Sequence, residues 1–243
     1  MLIKNTYISI KYKRVDNLKK NYFINEDILK DHFNEATVLP IPDDAPLEIP
    51  RIIIKSLNEH SQLNISPIAA TLQINYNDGF EKDWKKCEQY IQQKMKIVFS
   101  FLNILTNNEY QYIGVITEVL LDEYMRDGTQ ILARNLLKNN DYSSIYDLNI
   151  RYTFVEKHNI FVNIMLQNAR LFKNGIETDA AGSLSVDNQE AESIGAVIDI
   201  NDRYGYNTCN DYKTDSSKLD SIITEMTIVM ESKLKGLLEE GAY

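Results

Sequence analysis

Residues 6–14, TYISIKYKR, alternate, with Ile8, Ile10 and Tyr12 on one side and Ser9, Lys11 and Lys13 on the other. A period of two is that of a strand with one buried face. It returns in RIIIKSL (51–57) and LNISPIAATLQINY (63–76), read as two strands joined through the polar NEHS, with Pro67 marking a bulge or an edge. YQYIGVITEVLL (110–121), LNIRYTFVE (148–156), NIFVNIMLQNARLF (159–172) and SIGAVIDIN (193–201) read as further strands, the second and third turning at Lys157 and His158.

The period lengthens at Trp84, Cys87, Ile91, Met95, Val98, Leu102 and Leu105, where steps of three and four predict a helix over about 80–105 packed on a sheet. A matching stripe through Leu219, Ile222, Ile223, Met226, Val229, Met230 and Leu237 predicts a last helix over about 216–238. Shorter helices are expected at 25–34, opened by Asn25 and two acids, and at 127–138. The stretch LPIPDDAPLEIP holds four of the five prolines and reads as an extended connector. Residues 173–192 are polar without apolar periodicity and read as a long loop.

Both halves of the chain follow nearly the same order of strand, helix, connector, hairpin and long helix, and each hairpin turn carries a histidine, His60 or His158. The expected fold is α+β, with two antiparallel sheets each backed by a long helix and a cleft between them. Residues 1–106 form one half and 107–243 the other, packed as one body. The repeated order is either an internal duplication of a strand-helix-strand-strand-helix unit or a coincidence of element order.

Composition narrows the class. Hydrophobic residues make up 44% and charged residues 25% of 243, ordinary for a folded soluble chain, and no apolar run is long enough to span a membrane. The alternating start does not read as a secretory signal, so a cytoplasmic location is the expectation. Cys87 and Cys209 lack paired spacing, which leaves neither a disulfide framework nor a cysteine metal cluster. A net charge of −9 argues against a broad nucleic-acid surface. Residues 1–106 carry 14 basic and 13 acidic side chains and residues 107–243 carry 12 and 22, so the second half is either a solvated acidic face or a surface for a basic partner.

The stretch DINDRYGYN (199–207) tests poorly as a calcium loop. With Asp199 first, Asn201 fits the third position, but Arg203, Tyr204 and Asn210 stand where a ligand, the turn glycine and the bidentate acid belong. No pair of glycines has phosphate-cradle spacing, and zinc-helix and nucleophile-elbow motifs are absent. No metal, cofactor or catalytic residue is therefore assigned. A cysteine and a histidine could still meet in space, although His60 and His158 sit at turns and His32 in a short helix.

The candidates that remain are charges within strands: Glu118, Arg151, Arg170 and Asp199. Either they line a solvated sheet face, or Arg151 and Arg170 hold an anion in the cleft while Glu118 and Asp199 orient it. Tyr204 and Tyr206, two of 15 tyrosines, follow as strand-edge packing or a binding rim.

With PLEIPRIIIKS, YQYIGVITEVLL, LNIRYTF and GAVIDIN before a final helix, the chain resembles a sporadically distributed family of uncharacterised prokaryotic proteins, over most of residues 45–238. That resemblance implies a defence or mobile-element setting and brings no catalytic residues; the 173–192 loop and the long prefix depart from it. The repeated element order is also similar to gyrase-inhibitor-like domains, which implies small-molecule binding in a central cleft. The first expectation is a non-enzymatic accessory, adaptor or immunity-type subunit binding another protein, with a basic surface on that partner. The second is a small-molecule sensor using Arg151, Arg170, Glu118 and Asp199. Oligomeric state is left open.

Overall fold

The computed structural model describes residues 1–42, 44–124, 128–137, 144–172, 189–241 and 243. The long loop expected at 173–192 falls mostly outside them, and only its last residues are seen, as the start of a strand. Nine strands form one antiparallel sheet: β1 (Leu2–Tyr12), β2 (Thr37–Val38), β3 (Ile52–Lys55), β4 (Ser61–Ser66), β5 (Ala69–Asn75), β6 (Tyr110–Leu121), β7 (Asn149–Glu156), β8 (Ile160–Phe172) and β9 (Gln189–Asn201). Their order across it is β2-β3-β4-β5-β1-β6-β9-β8-β7.

The helices are α1 (Leu18–Asn25), α2 (Trp84–Thr106), α3 (Gly128–Leu136), α4 (Arg203–Thr208), α5 (Ser217–Ile228) and α6 (Leu234–Glu240). A π-helical turn, Val229–Lys233, joins α5 to α6 into one C-terminal rod. α2 and this rod lay their apolar stripes on one face of the sheet, against Ile8, Ile10, Leu72, Val115, Ile198 and Ile164. A hydrogen bond from Trp84 Nε1 to Thr227 Oγ1 (2.7 Å) ties the two rods together.

The expected pair of sheets with a cleft between them is thus corrected to a single sheet. The halves meet where β1 and β6 pair from Leu2–Leu120 to Tyr12–Tyr110, which leaves no gap. Thr6 and Thr117 face each other on this seam, fully buried, and their hydroxyls bond at 3.1 Å. An interrupted apolar stripe would have opened a cleft; here Ile8, Ile10, Ile113 and Val115 carry the core straight across.

Three local expectations also change. LNISPIAATLQINY is two strands, because Pro67 and Ile68 form a tight turn in which the Ser66 hydroxyl accepts the Ala69 amide (3.0 Å). The helix expected at 25–34 lies earlier, at α1. Leu18 and Tyr22, four apart, are buried there, and the Tyr22 ring meets Phe101 of α2 edge-on, with centroids 5.8 Å apart; Asn25 ends that helix, and the cap and two acids read from the sequence open only a single 3-10 turn, Glu26–Ile28. β2 and α4 were not expected.

The proline-rich connector is held from inside. Arg51, only 2% exposed, donates to the carbonyls of Ile49 (2.8 Å), Pro42 (3.3 Å), Ala45 (3.1 Å) and Pro46 (3.4 Å). Prolines supply no N–H with which their neighbours' carbonyls could pair, and one planar guanidinium does the work of several amides.

Candidate functional site

Because strand side chains alternate, the face away from α2 and the C-terminal rod carries the other half of every strand. Across its middle the paired positions read Lys55, Gln62, Gln73, Tyr7, Ile116, Asp199, Asn163 and Thr153. The neighbouring rung reads Asn75, Asn5, Glu118, Val197, Met165 and Arg151. Most of these residues are half-exposed. The result is a wide face of amides and hydroxyls among four charged side chains, Lys55, Glu118, Arg151 and Asp199.

Three of the four strand charges singled out in the sequence sit here. Asn5 Nδ2 donates to Glu118 at 2.9 Å. Asp199 accepts from Asn201 Nδ2 (2.8 Å) and Asn163 Nδ2 (3.3 Å), while Asn163 Oδ1 accepts from Thr153 (2.9 Å) and Arg151 (3.3 Å). Arg151 and Asp199 are thus linked through one amide. Arg170 does not join them. It falls on the helix-side face, in step with Leu166, where its guanidinium donates to the Tyr146 carbonyl, stacks on that ring at 3.8 Å and lies 3.9 Å from Asp147. The expected arginine pair is split between opposite faces of the sheet.

At one end of the open face lies α4. Tyr204 meets Phe161 edge-on (5.2 Å), Tyr206 packs on Tyr112 (5.5 Å), and the Arg203 guanidinium sits 4.6 Å over Tyr112 while bonding its hydroxyl at 3.0 Å. Tyr206 remains 40% exposed. Tyr204 and Tyr206 therefore form a rim to the open face, together with Tyr112, Phe161 and Arg203, which the sequence reading passed over.

The position of α4 is fixed by Asp202, which is fully buried. Its carboxylate accepts from the Ile113 amide (2.7 Å) and the Tyr212 hydroxyl (2.9 Å). Burial, and then the nearby Asp202 charge, hold the Tyr212 hydroxyl well above its ordinary pKa. Gly205 lies against the Tyr212 ring, where a Cβ would clash with three ring carbons. The acids of DINDRYGYN thus serve the fold: Asp199 ties the open face and Asp202 anchors the chain after β9.

Elsewhere Lys233, the last residue of the π-helical turn, bonds Glu156 (2.6 Å), Glu225 (2.9 Å) and the Tyr243 hydroxyl (3.2 Å). Burial opposes its charge, but these bonds outweigh burial and hold the ammonium above its ordinary pKa. Tyr243 in turn stacks on Phe154. Cys87 is buried and donates to the Phe80 carbonyl, and burial pushes its thiol up to about 12, unsuited to nucleophilic attack near neutrality. Among the described residues no three His, Cys, Asp or Glu side chains gather as a metal set, and no helix is long and apolar enough to cross a membrane. No protein-family model matches the chain, and neither does any curated protein sequence.

Proposed function

We propose that the protein is a non-enzymatic accessory or adaptor subunit that binds another protein through the open face of its sheet. One observation carries this reading: a wide face of amides and hydroxyls ends in a rim of Tyr112, Tyr204, Tyr206 and Arg203. Tyrosine and arginine are the side chains that dominate protein interfaces, because they bury large area and still satisfy a polar end. The net charge of −9 favours encounter with a basic partner. The family resemblance supports an immunity-type role in a prokaryotic defence or mobile-element system, in the cytoplasm. We also read the mirrored strand order, β3-β4-β5-β1 against β7-β8-β9-β6, as an internal duplication.

A sensor built on a cleft between the halves is the weaker reading, since the halves share one sheet and Arg151 and Arg170 lie on opposite faces. Native mass spectrometry on protein purified from its own cells tests the choice. A protein partner at fixed stoichiometry, lost on Arg203→Ala with Tyr206→Ala while the fold is kept, is the expected result. A bound mass of small-molecule size without any protein partner would overturn it.

A further inference from the structure

Residues 11–20, KYKRVDNLKK, hold five basic side chains and one acid in a chain whose net charge is −9. Where this segment leaves β1 and enters α1, Arg14, Lys19, Lys20 and the buried Arg51 line a pocket of about 540 Å³. Binding sites for small ligands run to about 300–1,000 Å³. Asp16 is the single acid of its lining, and it is engaged by Arg14 at 2.9 Å.

The other three cations have no carboxylate within ion-pair distance among the described residues. Lys19 donates to the Ile41 carbonyl (3.2 Å), and each Arg51 bond likewise ends on a carbonyl. Carbonyls satisfy N–H groups but do not cancel a charge, so the pocket keeps a positive potential. The first turn of α1, which has no side-chain cap, opens on the same space and adds to that potential. Val15, Leu18, Leu47 and Pro67 supply an apolar wall beside the cations.

We propose that this pocket binds a phosphorylated small molecule. Lys19, Lys20 and Arg14 hold the phosphate, the fixed charge of Arg51 favours it electrostatically, and the uncharged part of the ligand lies on the apolar wall. The pocket's size and the acidity of the rest of the chain select a small ligand over an extended polyanion. None of these residues belongs to the open face, so this inference stands or falls separately from the partner-binding reading.

Calorimetric titration at low ionic strength tests it, with inorganic phosphate and phenyl phosphate as probes. Saturable binding is expected for both, tighter for phenyl phosphate, and weakened at least about tenfold in Lys19→Gln/Lys20→Gln with the unliganded Tm unchanged. Should that double variant lose stability, the exposed Arg14→Gln gives the same reading with a smaller loss. Absence of saturable binding, or equal affinity in the variants, would overturn the proposal. Equal affinity for the two probes would overturn the role of the apolar wall.

Discussion

Asp202 and Ile113 are joined twice: the Ile113 amide donates to Asp202 Oδ1 at 2.7 Å, and the Asp202 amide donates to the Ile113 carbonyl at 3.2 Å. The second bond extends the β6–β9 ladder by one residue; in the first, the carboxylate takes the place of the main-chain carbonyl that a longer β9 would have offered to Ile113. Asp202→Ala leaves the Ile113 amide and the Tyr212 hydroxyl without their acceptor inside the protein, at a cost of about 1–3 kcal/mol each. Urea unfolding is expected to show a large loss for Asp202→Ala and a smaller one for Asp202→Asn, which keeps an acceptor.

Gly205→Ala forces a Cβ into the Tyr212 ring and should lower the Tm. Combined with Tyr212→Ala, which removes the obstruction, its added cost should largely vanish. A double-mutant cycle by thermal unfolding reads this coupling directly, and strict additivity would mean that the strain lies elsewhere.

The Lys233 cluster sets a pH window. Lys233 holds the Glu156 carboxyl below its ordinary value of 4.5, so the folded state binds fewer protons than the unfolded one in that range. The stability Glu156 contributes is complete above 4.5 and is lost as pH falls through the lowered folded value. Lys233 is shifted upward, so its contribution is complete below its ordinary 10.5 and is lost at higher pH. Glu156→Gln should therefore flatten the acid limb of a stability–pH profile below 4.5, while the wild type keeps it.

Arg151 is exposed and makes one side-chain hydrogen bond, to Asn163. Arg151→Ala should change stability by less than about 1 kcal/mol. Chemical denaturation checks this, and a large loss would give the residue a structural role that its exposure does not suggest.

The α2 stripe and the alternation of β1 were legible because a buried face repeats with the period of its element. α1 was not: LKKNYFIN turns Leu18 and Tyr22 inward but leaves Phe23 and Ile24 57% and 66% exposed, so no stripe appears. Parity along one strand placed Arg151 and Asp199 off the core face correctly. Parity along β8 likewise puts Arg170 in step with Val162, Ile164 and Leu166 on the core face; what a single sequence does not carry is the register that sets Arg151 opposite Met165 and Thr153 opposite Asn163. Asn5, Asn163 and Asn201 escaped notice because an amide in a strand looks unremarkable until its neighbour is known to be a carboxylate.

The seam between β1 and β6 also bears on assembly during synthesis. Among the described strands it is the single pairing that crosses from one half of the chain to the other. The first half can close its own ladder and receive α2 before β6 leaves the ribosome, and β1 then waits as a bare edge eleven residues long. Two nascent chains held close together have the same edge to offer and the same β6 to accept. Exchange of halves between neighbours is the misassembly that this single crossing pairing favours.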